Sequence, residues 1–245
     1  MIGKRIFDLT FSLFGLLLLL PFVTVLAILV WLQDFQNPLY IAQRVGKKNT
    51  KFNLVKLRSM IINADKSGVD STSASDSRIT RLGKFIRKFK FDELTQLWNV
   101  LVGDMSFVGP RPNVEREIKL YTEIEKELLN FKPGITDISS IVFSDESEIL
   151  EPYEDPDIAY NQIIRPRKNS LALFYVRNQS LFFDIKLIVI TILSIFNKSF
   201  SKKVLLRTAR KMGANNDLLE MIRRDAALTP MPPPGSNEIV ISRNV

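Results

Sequence analysis

The chain has 245 residues, 46% of them hydrophobic and 24% charged, and a net charge of +8. That is enough for one sizeable domain or two small ones, excludes wholesale disorder, and points to an anionic partner such as nucleic acid, a phosphorylated substrate or anionic lipid. There is no Cys and no His, which excludes disulfides, thiol nucleophiles and the commonest general base, and leaves carboxylates, hydroxyls and lysines as nucleophiles and a hard, oxygen-bound ion such as magnesium as the metal.

The first feature in the chain is Leu9 to Leu32, an apolar run without a charge and roughly 36 Å long as a helix, enough to cross a bilayer. It is too long for the apolar core of a signal peptide, and no small-residue cleavage site follows it. Pro21, near its middle, removes a backbone hydrogen bond and bends a helix. Lys4 and Arg5 precede the run, and Arg44, Lys47, Lys48 and Lys51 follow it, so both ends prefer the cytoplasm. A helix–break–helix hairpin that enters and leaves on one face satisfies both flanks; a kinked full span is the alternative.

Tyr40 to Met60 alternates loosely and reads as a short hairpin with Gly46 to Thr50 as its turn. Residues 63–80 are polar and Ser-rich, a loop. Arg81 to Val102 reads as one helix with Leu94, Leu97, Trp98 and Leu101 as its buried stripe, ended by Gly103-Asp104. Phe107 to Pro112 is a rigid turn. Glu115 to Leu129 is a charged surface helix, stopped at Lys132-Pro133-Gly134. Residues 145–157 hold seven acids and no base, a solvated cap. Leu181 to Phe196 is a second apolar segment, broken by Asp184 and Lys186 and too short to span, hence an interfacial or buried helix.

The last stretch turns basic. Residues 198–211 carry Leu205, Leu206, Ala209 and Met212 at helical spacing, suited to lying on anionic lipid. Pro232-Pro233-Pro234 is stiff and carries the last residues away from the parent domain. The β-branched run Glu238 to Ser242 is either a disordered tail or a strand donated to a second copy, which makes a homodimer by exchange.

Two groups of residues can carry chemistry. Asp92-Glu93 opens the apolar stripe among Arg81, Lys84, Arg87, Lys88 and Lys90. Helix neighbours point about 100° apart, so the carboxylates have separate roles, and nearby positive charge keeps a carboxylate ionised for attack or metal binding. Surface charge or helix capping is the commoner account of such a pair. In Gly109-Pro110-Arg111-Pro112, two prolines fix the backbone around one guanidinium, which suits bidentate phosphate binding or a plain structural turn. Lys56 and Arg58 share one face of a strand and suit a pyrophosphate or lipid headgroups.

In this order the motifs resemble those of the monotopic phosphoglycosyl transferases, bacterial sugar transferases acting on undecaprenyl phosphate. The matching segments are Lys4-Arg5-Ile6-Phe7-Asp8; Arg44-Val45-Gly46 with Phe52 and Lys56-Leu57-Arg58-Ser59-Met60; Asp92-Glu93-Leu94 with Gln96-Leu97-Trp98-Asn99-Val100-Leu101; Gly103 to Pro112; and Pro133-Gly134-Ile135-Thr136. A weaker match is Tyr175-Val176-Arg177-Asn178 with Ser180 and Asp184. The resemblance covers about residues 4–197.

The resemblance implies a mainly α fold with a short β-hairpin. A re-entrant membrane helix, residues 1–36 broken at Pro21, would join a small cytosolic domain of residues 37–197 set at the interface by amphipathic helices. Residues 198–245 form a basic extension with no counterpart. It also implies a magnesium-dependent ping-pong reaction on the cytosolic face of the bacterial inner membrane. Asp92, also the magnesium ligand, would take a phosphosugar from a UDP-sugar, release UMP and pass its cargo to polyprenyl phosphate, with Glu93 as its partner and Arg87 and Arg111 holding phosphates. Membrane lipids are then partners and nucleic acid is not.

Three departures stand out. Leu20 precedes Pro21 where the family usually has Ser. Asp137 to Glu146 replaces a Gly-Trp stretch with an arginine. Residues 198–245 extend beyond the minimal domain. The competing reading is a membrane-anchored protein that binds anionic lipid or nucleic acid without catalysis.

Overall fold

The computed structural model describes residues 2–67, 71–73 and 75–242. In chain order the elements are α1 (Ile2–Trp31), β1 (Leu39–Val45), β2 (Lys51–Leu57), α2 (Arg81–Lys88), α3 (Leu97–Val102), β3 (Ser106–Val108), α4 (Glu115–Lys119), β4 (Gly134–Thr136), α5 (Ile138–Val142), α6 (Glu146–Leu150), α7 (Pro156–Ala159), α8 (Arg165–Arg177), α9 (Leu181–Phe196), α10 (Lys198–Lys211) and α11 (Asn216–Arg223). The protein is mainly helical with a short antiparallel hairpin, as the sequence implies. β1 and β2 pair from Leu39 opposite Leu57 to Val45 opposite Lys51, and Gly46 N–H donates to the Thr50 carbonyl to close the turn (2.7 Å). Of the expected Ser-rich loop, Gly68 to Asp70 and Ala74 lie outside the described residues.

α1 is one helix of 30 residues with Pro21 inside it, so the break expected at Pro21 is replaced by continuous helix. Proline removes one N–H, and a long apolar helix absorbs the single carbonyl left without a donor. Mean hydropathy reaches 2.9, and Leu17, Leu18 and Leu20 are each more than half exposed. Both ends are nevertheless fastened to one body. Near the start, Lys4 Nζ pairs with Asp184 (2.5 Å), Arg5 donates to the carbonyls of Val100 and Leu101 (2.7 and 2.9 Å), and Asp8 accepts from Ser106 Oγ and Phe107 N–H (3.1 Å each). At the far end Leu26 and Val30 pack on Leu57 and Ile86. Just beyond it, Arg58 grips Asp34 through both Nη atoms (2.6 Å each).

The main core joins α5, α8, α9, α10 and α11 around Ile138, Leu171, Tyr175, Leu187, Leu205 and Ile222. α9 divides its faces: Phe183, Leu187 and Ile190 are buried, while Phe182, Val189, Ile192 and Phe196 are exposed. The apolar stripe of α10 turns the other way from the expectation. Leu205 and Ala209 are fully buried in the core, and Leu206 and Met212 pack against it, so protein rather than lipid covers them. The tail also stays with its own domain. Thr229, Met231, Pro234 and Val240 are bonded through their backbones to Arg167, Gln162, Thr122 and Gln162 respectively.

Two further expectations are corrected. Glu115 to Leu129 is not one surface helix: α4 ends at Lys119, a 3-10 turn covers Glu125–Asn130, and Glu125 is fully buried, bonded to Asn169 (2.7 Å). The acidic stretch is only half a solvated cap. Glu148, Glu151 and Glu154 are exposed, but Asp145 pairs with Arg224 (2.5 Å), Glu146 pairs with Lys168, and Asp157 is buried.

Candidate active site

The helix expected over Arg81 to Val102 is broken at Lys90, whose backbone is left-handed (φ 55°, ψ 28°). α2 ends before it, a 3-10 turn covers Phe91–Gln96, and α3 follows. The register therefore shifts, and the buried set is not the apolar stripe. Trp98 is 52% exposed, whereas Asp92, Thr95, Gln96 and Asn99 are buried with Leu97. The stripe instead helps line an apolar groove of about 610 Å³ between α1 and the hairpin, walled by Leu20, Val23, Ile28, Val55, Leu94 and Trp98.

The buried polar residues tie this segment to the outer edge of β2. Asn99 Oδ1 accepts from Val55 N–H (3.0 Å), Asn99 Nδ2 donates to the Asn53 carbonyl (2.7 Å), and Thr95 Oγ1 donates to the Val55 carbonyl (2.9 Å). Two side chains thus complete hydrogen bonds that a third strand would make. The result fixes Lys56 of β2 against the carboxylates: its Nζ lies 3.6 Å from Asp92 Oδ2 and 3.5 Å from Glu93 Oε1.

Arg111 reaches the same point from the turn after β3. β3 and β4 run parallel, with Gly109 and Gly134 so close that a Cβ on Gly109 would meet the Lys132 carbonyl oxygen at 2.3 Å and one on Gly134 would meet the Gly109 nitrogen at 2.0 Å. Only glycine permits that approach. The turn it sets up sends Arg111 Nη2 to Glu93 Oε1 (2.8 Å), one donor of the fork, with the side chain 38% exposed.

The two carboxylates are electrostatically distinct. Burial pushes the Glu93 carboxyl up, but Arg111, Lys56 and Lys90 outweigh it and hold the group well below the usual carboxylate range. Asp92 is pushed up, chiefly by burial, with Lys56 opposing and Glu93 reinforcing. Its carboxylate accepts no hydrogen bond from the described residues; the Lys56 contact is its one ion pair among them. Glu93 raises the affinity of Arg111 for its proton, and burial lowers that of Arg87 and Lys90.

The structure therefore brings together Asp92, Glu93, Lys56 and Arg111, with Arg87 in electrostatic reach of Asp92 and Arg111 and its guanidinium without a hydrogen bond to the described residues. Arg58 does not join them. β2 ends at Leu57, so strand alternation no longer applies to residue 58, and its guanidinium is spent on Asp34 and the Asn37 carbonyl (2.9 Å). Sequence reasoning passed over Lys90 as a site residue, and also Tyr160 and Lys168, which line a narrow polar recess beside Arg111 with Asn113, Asp137 and Ser139. No motif marks Tyr160 or Lys168.

Among the described residues no three acidic side chains converge as a metal cage. The site still fits a magnesium ion, which is held by one or two carboxylates with substrate phosphates and water completing its shell. Asp92, with no hydrogen bond from the described residues to satisfy its oxygens, would be the donor for it.

The comparisons with known proteins place the chain in a family. The family model described as "Bacterial sugar transferase" matches residues 1–198. A Bacillus subtilis (strain 168) protein, provisionally named as an undecaprenyl-phosphate N-acetylgalactosaminyl 1-phosphate transferase, is 46% identical over 133 residues, 54% of this chain and 70% of that one. The undecaprenyl-phosphate glucose phosphotransferase of Komagataeibacter xylinus is 37% identical over 199 residues, 78% of this chain and 35% of its own. The UDP-N-acetylgalactosamine-undecaprenyl-phosphate N-acetylgalactosaminephosphotransferase of Aeromonas hydrophila is 32% identical over 199 residues, 78% of this chain and 43% of its own. The chain thus spans less than half the length of the last two.

Proposed function

Because the chain belongs to the bacterial sugar transferase family, we propose that it moves a sugar 1-phosphate from a UDP-sugar to polyprenyl phosphate, releasing UMP. The observation that carries this reading is Asp92: a buried carboxylate with no hydrogen bond to the described residues, beside Lys56 and in reach of Arg87 and Arg111. In a chain without Cys or His, it is the group suited to covalent catalysis.

In the first half-reaction an Asp92 oxygen attacks the β-phosphorus of the donor. The bond from that phosphorus to the bridging oxygen breaks, and UMP leaves with the electron pair. In the second half, an oxygen of polyprenyl phosphate attacks the same phosphorus and displaces the Asp92 carboxylate. Arg87 and the free part of the Arg111 fork bind the phosphate oxygens and offset the charge that spreads over them. Glu93, held ionised, keeps Arg111 in place. Magnesium bound at Asp92 would supply further charge neutralisation to the transferred group.

The lipid substrate has a matching surface. Thr95 lines the apolar groove beside α1 and also donates to the Asp92 carbonyl (3.3 Å), so an isoprenoid chain lying in the groove would bring its phosphate toward Asp92. We read α1 as lying unbroken along one side of the membrane, with both its ends and the catalytic domain on the cytosolic face. The ties at Lys4, Arg5 and Asp8 and at Asp34 support this, since all of them run to the same domain.

The test is UMP release by purified protein in nanodiscs against a panel of UDP-sugars, which also names the sugar. Asp92→Asn should abolish release and enzyme labelling by a phosphosugar; substantial turnover in that variant would refute the assignment.

A further inference from the structure

Lys90 belongs to the charged centre and helps hold Glu93 ionised, yet no contact with substrate has been given to it. The break between α2 and the 3-10 turn needs a left-handed residue at position 90, and this is a conformation glycine or asparagine adopts with less strain than lysine. The Lys90 side chain does not cap the adjoining 3-10 turn and makes no hydrogen bond or ion pair with the described residues. Lys56 and Arg111, by contrast, are both engaged with Glu93.

Aromatic residues adjoin Lys90 in the chain. Phe89 and Phe91 flank it, and their rings stack with centroids 5.5 Å apart and planes 19° from parallel. They continue into Phe85, and through Phe91 into Phe22 of α1. The rings form an apolar wall, while the ammonium is in electrostatic reach of Glu93, Arg111, Lys168 and Asp92. Around the two carboxylates Asp92 and Glu93 stand four cations, Lys56, Arg87, Lys90 and Arg111. With Asp76 and Arg78 beside Arg87, Asp137 and Glu146 beside Arg111, and Lys168 beside Lys90 included, six cations face five carboxylates, and the positive charge left over in a partly buried site suits an anion.

We propose that Lys90 binds a substrate phosphate, adding a three-donor point charge beside the forks of Arg87 and Arg111, and that the strained backbone is retained for this purpose. The proposal rests on the transferase reading for the source of the phosphate, which is either the nucleotide donor or the lipid acceptor.

The experiment replaces Lys90 by Gly and by Asn, which remove the charge and suit the backbone, and by Arg, which keeps the charge. Calorimetric titration with UDP probes the nucleotide source, and titration with a short-chain isoprenyl phosphate probes the lipid source. Lys90→Gly and Lys90→Asn should bind at least one of the two about tenfold more weakly, while Lys90→Arg stays near wild type. Lys90→Gly should also raise the melting temperature, by roughly 2–4 °C. Loss confined to UDP assigns the donor pyrophosphate, and loss confined to the isoprenyl phosphate assigns the acceptor. Unchanged affinity for both probes overturns the proposal, as does equal weakening by Lys90→Arg. If the wild type binds UDP but releases no UMP from any UDP-sugar, the transferase reading fails while the affinities still decide the role of Lys90.

Discussion

Replacing Asn99 by Ala tests how the segment that carries Asp92 and Glu93 is held to the hairpin. Asn99 is 1% exposed, so the two backbone groups it serves, Val55 N–H and the Asn53 carbonyl, lose their partner where water reaches poorly. An ordinary hydrogen bond is worth about 1 kcal/mol net, but a stranded buried donor or acceptor costs about 1–3 kcal/mol. Two such groups, eased by some local relaxation, give a destabilisation of roughly 2–4 kcal/mol, or about 5–15 °C in melting temperature for a chain of this size. The same change loosens β2 against the 3-10 turn, so the 3.5–3.6 Å contacts of Lys56 with Glu93 and Asp92 should widen and turnover should fall as well. Thermal unfolding of the nanodisc-held protein, followed by circular dichroism, reads the first effect, and UMP release well below the new melting temperature reads the second. A shift under 2 °C would show that Thr95 and α1 hold the hairpin without Asn99, and the account of the β2 edge would be wrong.

Other outcomes depend on the same geometry. Arg111→Lys keeps the charge but loses the fork, and should lower kcat/KM for the UDP-sugar at least about tenfold; wild-type efficiency would reduce the turn to scaffolding. Arg58→Ala should lower the melting temperature and leave KM for the UDP-sugar unchanged, because Arg58 grips Asp34 rather than substrate; a raised KM at unchanged stability would return it to the site. Single cysteines at Gly3 and Asn49, in a chain that has none, should both react from the cytosolic side in inverted vesicles; periplasmic labelling confined to residue 3 would establish a full span.

How much of the structure was legible in the sequence depends on what periodicity can carry. The hairpin was legible because alternation and the residues of a tight turn are both local. The convergence of Lys56, Asp92, Glu93 and Arg111 was legible only through the order of the motifs, since no spacing rule joins residues on a strand, a 3-10 turn and a proline-flanked loop. The break at Lys90 was not: lysine is a good helix former, and its left-handed backbone is imposed by tertiary contacts. The stripes of α3 and α10 were seen, but apolar spacing does not say whether lipid or protein will cover them. An exposed surface and the groove took the stripe of α3, and the core took that of α10. Buried Glu125 was read as surface because its partner Asn169 lies 44 residues away.

The fastening of α1 also sets an order of events during synthesis. Lys4 meets Asp184 across 180 positions of sequence, and Arg5 and Asp8 wait for residues near position 100. At about 5–20 residues per second, Asp184 is made roughly 10–40 s after Lys4. Over that interval α1 is already apolar enough to seek the bilayer, while its leading charges, with no partner yet made, resist burial in hydrocarbon. Lys4 is thus locked long after it is made, and closing so long a loop is slow compared with forming the hairpin. Substitutions at Asp184 would accordingly act as maturation defects, leaving a nascent chain inserted in the membrane but slow to complete its fold.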